Sequence, residues 1–132
     1  MSTQGKHILL VDDDPDIHDA VRLILEPLGC RLTCCTTAPE ARAILRRERP
    51  DLLLLDIMLA TPDEGLVLAK EIRGEQHLAQ VPILIVSSIG EPPLLDGSAH
   101  GGGMPADIFL EKPLDPLRLR ESVRTLLDRQ AR

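Results

Sequence analysis

Asp51-Leu52-Leu53-Leu54-Leu55-Asp56 is the most telling stretch of the chain. Four successive leucines leave no face for water, so the segment reads as a strand buried on both sides and flanked by carboxylates. Ile83-Leu84-Ile85-Val86 repeats the pattern. Strands of this kind sit in the middle of parallel sheets with helices above and below. On either side of this pair the candidates are His7 to Val11, Cys30 to Thr36 and Asp107 to Glu111; the central strands themselves run from Asp51 to Leu55 and from Pro82 to Ser87. Segments of helical period separate them. The alternation predicts an α/β fold, a doubly wound, five-stranded parallel sheet with helices on both faces.

Four helices are predicted from their ends as much as from their stripes. Asp14 and Pro15 open the first, which carries Ile17, Ala20, Val21, Ile24, Leu25 and Leu28 until Gly29 stops it. Thr37 and Glu40 form a capping box for the second, with Ala41, Ile44 and Leu45 on its apolar side. The third is expected from about Glu64 to Arg73, using Val67, Leu68 and Ile72, with Gly74 at its end. The last opens at Asp115-Pro116 and carries Leu119, Val123, Leu126 and Leu127. Between the fourth and fifth strands, Gly90 to Pro105 holds five Gly and three Pro in sixteen residues. Each interior Gly costs a helix about 1 kcal/mol and each Pro about 3. The helix expected there is short or replaced by a mobile loop.

Composition narrows the function classes. The 132 residues carry 15 Lys+Arg against 21 Asp+Glu, a net charge of −6 that disfavours phosphate backbones and anionic membranes. One Phe, no Tyr and no Trp leave an aliphatic core and no platform for stacking bases. No apolar run is long enough to span a membrane, and the short polar start, Met1 to Lys6, reads as no leader, so a cytoplasmic protein without direct nucleic-acid or membrane partners is expected. Cys30, Cys34 and Cys35 are odd in number and lack zinc spacing, and are read as packing residues. The histidines at 7, 18, 77 and 100 lack it too and are read as surface or packing residues. Residues 1–132 are read as one domain.

The chemistry gathers where strands end. Asp12 and Asp13 follow the first strand, Asp56 the third, Ser87 closes the fourth and Lys112 follows the fifth. In a right-handed doubly wound sheet these ends share one edge. Two carboxylates about 4 Å apart repel by roughly 1 kcal/mol in water and roughly 4 kcal/mol at an effective dielectric of 20. Such a cluster calls for a hard divalent cation with oxygen ligands, and an open acidic pocket suits Mg²⁺. Taken singly, each residue has a plainer reading: Asp13 and Asp14 as helix-end partners, Ser87 as a strand end, Lys112 as a solvated charge. Only Asp56, ending a run of leucines, is costly without a partner.

Four blocks together, Ile8-Leu9-Leu10-Val11-Asp12-Asp13-Asp14, Leu53-Leu54-Leu55-Asp56-Ile57-Met58-Leu59, Ile85-Val86-Ser87-Ser88 and Phe109-Leu110-Glu111-Lys112-Pro113, closely resemble the receiver domains of bacterial two-component response regulators. The resemblance implies the flavodoxin-like strand order 2-1-3-4-5. It also implies a phosphorylation-dependent signalling switch, not a turnover enzyme, with Asp56 accepting a phosphoryl group from the phosphohistidine of a sensor histidine kinase or phosphotransfer protein. It implies Mg²⁺ held by Asp13, Asp56 and the backbone carbonyl of Met58, with Asp12 acting through water. Lys112 would neutralise a phosphoryl oxygen, Ser87 would move to bond another, Phe109 would be the aromatic switch, and the peptide before Pro113 would be cis. The downstream target is not given by the resemblance.

Three departures stand out. Where the family has L-P-x-M-D-G, this chain reads Leu59-Ala60-Thr61-Pro62-Asp63-Glu64-Gly65, one residue longer. Met58 and Ile89, two beyond Asp56 and Ser87, are apolar and cannot orient an attacking water, which predicts slow autodephosphorylation. The Gly/Pro-rich segment lies in the face through which receivers signal, and leaves open whether a phosphorylation-dependent dimer forms across it. Two alternatives are weighed: a haloacid-dehalogenase-like phosphatase using Asp12 as its nucleophile, and a pseudo-receiver that only binds. An EF-hand is excluded, because Ile17 and Leu23 stand where its loop needs Gly and Glu.

Overall fold

The computed structural model describes residues 3–88 and 106–130. Its strands are β1 (His7–Val11), β2 (Arg31–Cys35), β3 (Leu52–Asp56), β4 (Ile83–Ser87) and β5 (Ile108–Glu111). Its helices are α1 (Pro15–Leu25), α2 (Ala38–Arg47), α3 (Glu64–Gly74) and α4 (Pro116–Gln130). All strands pair in parallel in the order β2-β1-β3-β4-β5. The expected loop at Gly90 to Pro105, together with Ile89 and His100, lies outside the described residues.

Alternate side chains of a strand point to opposite faces, and here each face carries its own core. Leu9, Val11, Leu53, Leu55, Ile83 and Ile85 pack under α2 and α3, against Ala41, Leu45, Leu66, Ala69 and Ile72. Ile8, Leu10, Leu52, Leu54, Leu84 and Val86 pack under α1 and α4, against Val21, Ile24, Leu25, Leu119, Val123 and Leu126. This is why the Leu52–Leu55 run has no polar position.

Element ends follow local hydrogen bonding. β3 starts one residue later than expected because the Asp51 carboxylate turns to accept the His7 N–H at 2.8 Å, and it ends on Asp56, which pairs in register with Val86. Pro82 has no N–H, and β4 begins after it. Asp14 caps α1 by accepting the Asp16 N–H. A 3₁₀ turn over Glu26–Leu28 follows, ended by Gly29 at φ 72°, where only glycine is free of strain. Thr37 caps α2 as expected, accepting the Glu40 N–H at 3.2 Å, but Glu40 reaches back one residue further than a capping box requires, to the Thr36 N–H at 3.0 Å. Asp115 accepts the Arg118 N–H at 3.2 Å at the start of α4.

The third helix corrects the expected stripe. Val67 is exposed, and the buried side consists of Gly65, Leu66, Leu68, Ala69 and Ile72. The phase is set by Gly65, whose N–H donates to the Ile57 carbonyl at 2.7 Å and which lies flat against the end of β3.

The two outer strands are short. β2 has five residues and opens on exposed Arg31, and β5 has four and closes on exposed Glu111.

Candidate functional site

The C-terminal edge of the sheet brings the predicted residues together. One oxygen from each of Asp12, Asp13 and Asp56 lies within 4.8 Å of the others. Asp12 is fully buried, Asp56 nearly so, and Asp13 is exposed. Lys112 leaves β5 over this cluster, its Nζ 2.9 Å from Asp12 Oδ2 and 3.4 Å from Asp56 Oδ2. Its backbone N–H donates to the Ser87 carbonyl at 2.8 Å, tying the ends of β4 and β5, and the Lys112–Pro113 peptide is cis.

Asp12 is engaged at every polar atom. Its N–H donates to the Cys35 carbonyl at 3.1 Å, Oδ1 accepts the Asp14 N–H at 2.9 Å, Oδ2 accepts Lys112, and its carbonyl accepts His18 Nε2 at 2.6 Å. Asp56 Oδ1 accepts the Met58 N–H at 3.2 Å. Burial, and then the charge of Asp12, pushes the Asp56 carboxyl above its ordinary range; Lys112 and the Met58 N–H pull against them. Burial also acts against the Lys112 charge, but bonds and attraction from Asp12 and then Asp56 outweigh it, so the ammonium holds its proton more tightly than usual.

Three carboxylates against one ammonium leave a formal charge of −2 at the site. The donor set is all oxygen and includes one exposed carboxylate, which fits a partly hydrated Mg²⁺ better than a soft metal. Asp12, Asp13 and Asp56 each offer one oxygen to the cluster, and Asp13 is its exposed member.

Ser87 is fully buried at the end of β4, and Phe109 is half-buried on β5 opposite Ile85. Met58 is half-buried beside the core under α2 and α3. Two contributors were missed from sequence. Gly65 presses on β3 so closely that a Cβ there would fall 2.7 Å from the Asp56 carbonyl carbon. The glycine that ends the family's L-P-x-M-D-G pattern, found here one residue later as Gly65, was the available signal. His18, read as a surface or packing residue, bonds the Asp12 carbonyl, and nothing in its spacing announces this. His7 does pack, with Nε2 2.8 Å from Thr33 Oγ1. The three cysteines are free thiols.

The response regulator receiver domain family matches residues 8–124. The chain belongs to that family. A solved CheY-like receiver domain protein from Methanospirillum hungatei JF-1 superposes with a TM-score of 0.82 at 30% identity, covering 97% of this chain and 98% of its own. The receiver domain of a sensor histidine kinase from Pseudomonas aeruginosa PAO1, solved with a magnesium ion coordinated in its active site cleft, gives 0.78 at 27% identity over 94% of this chain and 98% of its own. The DNA-binding dual master transcriptional regulator RpaA of Synechocystis sp. is 32% identical over 125 residues, which are 95% of this chain and 50% of that protein. The receiver spans about half the length of the curated relatives it matches.

The family is one of phosphorylation-based signalling modules, so the resemblance read from four sequence blocks holds, as do the strand order and the bacterial kinship. The family match favours the receiver reading over the haloacid-dehalogenase one. Among the described residues no helix is long and apolar enough to cross a membrane.

Proposed function

We propose that this receiver is a phosphoacceptor switch in which Asp56 takes a phosphoryl group from a phosphohistidine of a sensor histidine kinase or phosphotransfer protein. The carrying observation is the convergence of Asp12, Asp13 and Asp56 within 4.8 Å, with the Lys112 ammonium 3.4 Å from Asp56. An ionised Asp56 oxygen attacks phosphorus as the P–N bond breaks; the imidazole leaves with the electron pair and takes a proton from solvent. An acyl phosphate remains on Asp56. Transfer of this kind needs alignment and charge neutralisation more than covalent assistance.

Asp13, Asp56 and the Met58 carbonyl would hold Mg²⁺, with Asp12 acting through water. When bound, the ion supplies positive charge to the phosphoryl oxygens. Lys112 neutralises one oxygen by a charge-assisted bond, and Ser87 and Phe109 rearrange to read the modified state. The receiver is a substrate in this reaction and does not turn over. The receiver domain itself acts in the cytoplasm through protein partners and makes no direct contact to nucleic acid or membrane, and phosphorylation changes those partners or its own assembly.

Incubation with acetyl phosphate and Mg²⁺, followed by mass spectrometry, tests the reading. A gain of one phosphoryl group in the wild type and none in Asp56→Asn is expected. Equal labelling of both, or labelling on Asp12, overturns it.

A further inference from the structure

His18 sits in the first turns of α1, yet its side chain turns back to the loop that carries two of the three clustered carboxylates. Its Nε2 lies 2.6 Å from the Asp12 carbonyl oxygen. A carbonyl only accepts, so the ring donates from Nε2. The acceptor is well chosen: Asp12 is fully buried, and its N–H and both carboxylate oxygens are already bonded to Cys35, Asp14 and Lys112. Its carbonyl is the remaining polar atom of Asp12, and it lies in the Asp12–Asp13 peptide plane.

Holding a carbonyl holds the whole peptide plane, because the bond between carbon and nitrogen does not rotate. The plane that His18 grips at Asp12 continues into the backbone of Asp13. Asp13 is exposed, unlike its two neighbours in the cluster, so little packing orients it. We infer that His18 is a positioning residue for the cation site, donating from Nε2 to the Asp12 carbonyl and so aiming the Asp13 carboxylate at the ion that Asp13 and Asp56 share. The inference rests on the cation reading of the site and adds to it a residue that touches neither metal nor phosphoryl group. Groups that orient ligands from behind are worth on the order of tenfold or more in metal affinity.

Isothermal titration of the whole chain with Mg²⁺ at neutral pH tests this on three proteins. Wild type binds; His18→Leu, which keeps bulk and loses the donor, binds on the order of tenfold more weakly; His18→Gln, whose side-chain amide presents an N–H at a similar reach, recovers most of the affinity. Amide hydrogen exchange without Mg²⁺ gives an independent readout: Asp13 and Asp14 exchange faster in His18→Leu and at the wild-type rate in His18→Gln. Wild-type Mg²⁺ affinity in His18→Leu, or equal loss in both variants, overturns the role of His18 and leaves the cation site standing. Failure of the wild type itself to bind Mg²⁺ overturns both.

Discussion

As the proposed phosphoacceptor Asp56 carries opposing demands, since that role needs it ionised and it is buried where ionisation is costly. Its carboxyl is pushed above the ordinary range, by burial first and Asp12 second. The folded state therefore keeps the proton in a window where the unfolded chain has lost it, and stability falls as pH rises through that window. Asp56→Asn removes this standing cost. Its melting temperature without divalent cations is expected to exceed that of the wild type at neutral pH, with the gap closing as pH falls through the raised folded value towards the ordinary 3.8; thermal melts across pH with a chelator check it. Two residues on, Met58 offers no group to orient water. Phosphorylated Met58→Asn is expected to lose its phosphate faster, on the order of tenfold, as measured by decay of the acyl phosphate after removal of the donor. Asp12, Asp13, Asp56, Ser87 and Lys112 were legible in sequence because each directly follows or closes an apolar strand. His18 was not, because its partner is a backbone atom, and no side-chain pattern encodes a carbonyl.

The loop from Asp56 into α3 shows how an inserted residue is absorbed. Leu59 is buried, the Ala60 N–H is held by the Glu64 carboxylate at 3.1 Å, and the chain returns so that Gly65 still lies against the end of β3. Space, not dihedral freedom, demands glycine there. Gly65→Ala must push α3 off the strand that presents Asp56, at a cost of about 1 to 3 kcal/mol in stability and with slower labelling by acetyl phosphate. Denaturant melts and labelling rates test the two effects separately. The same contact explains why the apolar stripe of α3 was misread. Val67 and Leu66 are equally apolar in sequence, and only the docking of Gly65 tells which of them faces the sheet. Helix starts were easier, since Asp14, Thr37 and Asp115 bond backbone donors two or three residues away.

The molecule as a whole keeps its chemistry at one end and its fastening at the other. At the N-terminal edge Arg73 donates to the carbonyls of Ala79 and Val81 and to Asp107, which also accepts the Ile83 N–H, so α3, β4 and β5 are tied together far from Asp56. The fold class was readable from alternating strands and helices because a sheet covered on both sides leaves an unmistakable run such as Leu52–Leu55. Between the layers lies Cys35, whose thiol is pushed up from 9.0 to about 12 by burial first, then by the charges of Glu40 and Cys34. The folded chain keeps that proton where the unfolded chain loses it. Its contribution to stability is therefore whole below pH 9 and is lost as pH rises through about 12. Urea melts at increasing alkaline pH should show wild type weakening more steeply than Cys35→Ala, and a thiol reagent at neutral pH should leave Cys35 untouched until the chain unfolds.

The brevity of β2 and β5 bears on crowding in a cell. A ribbon whose unpaired backbone amides lay bare over a long, flat margin would invite another chain to zip onto it and grow into a fibre. Here each margin is a few residues long and carries a charge, Arg31 on one side and Glu111 on the other. Margins this short and charged disfavour strand-to-strand growth between copies.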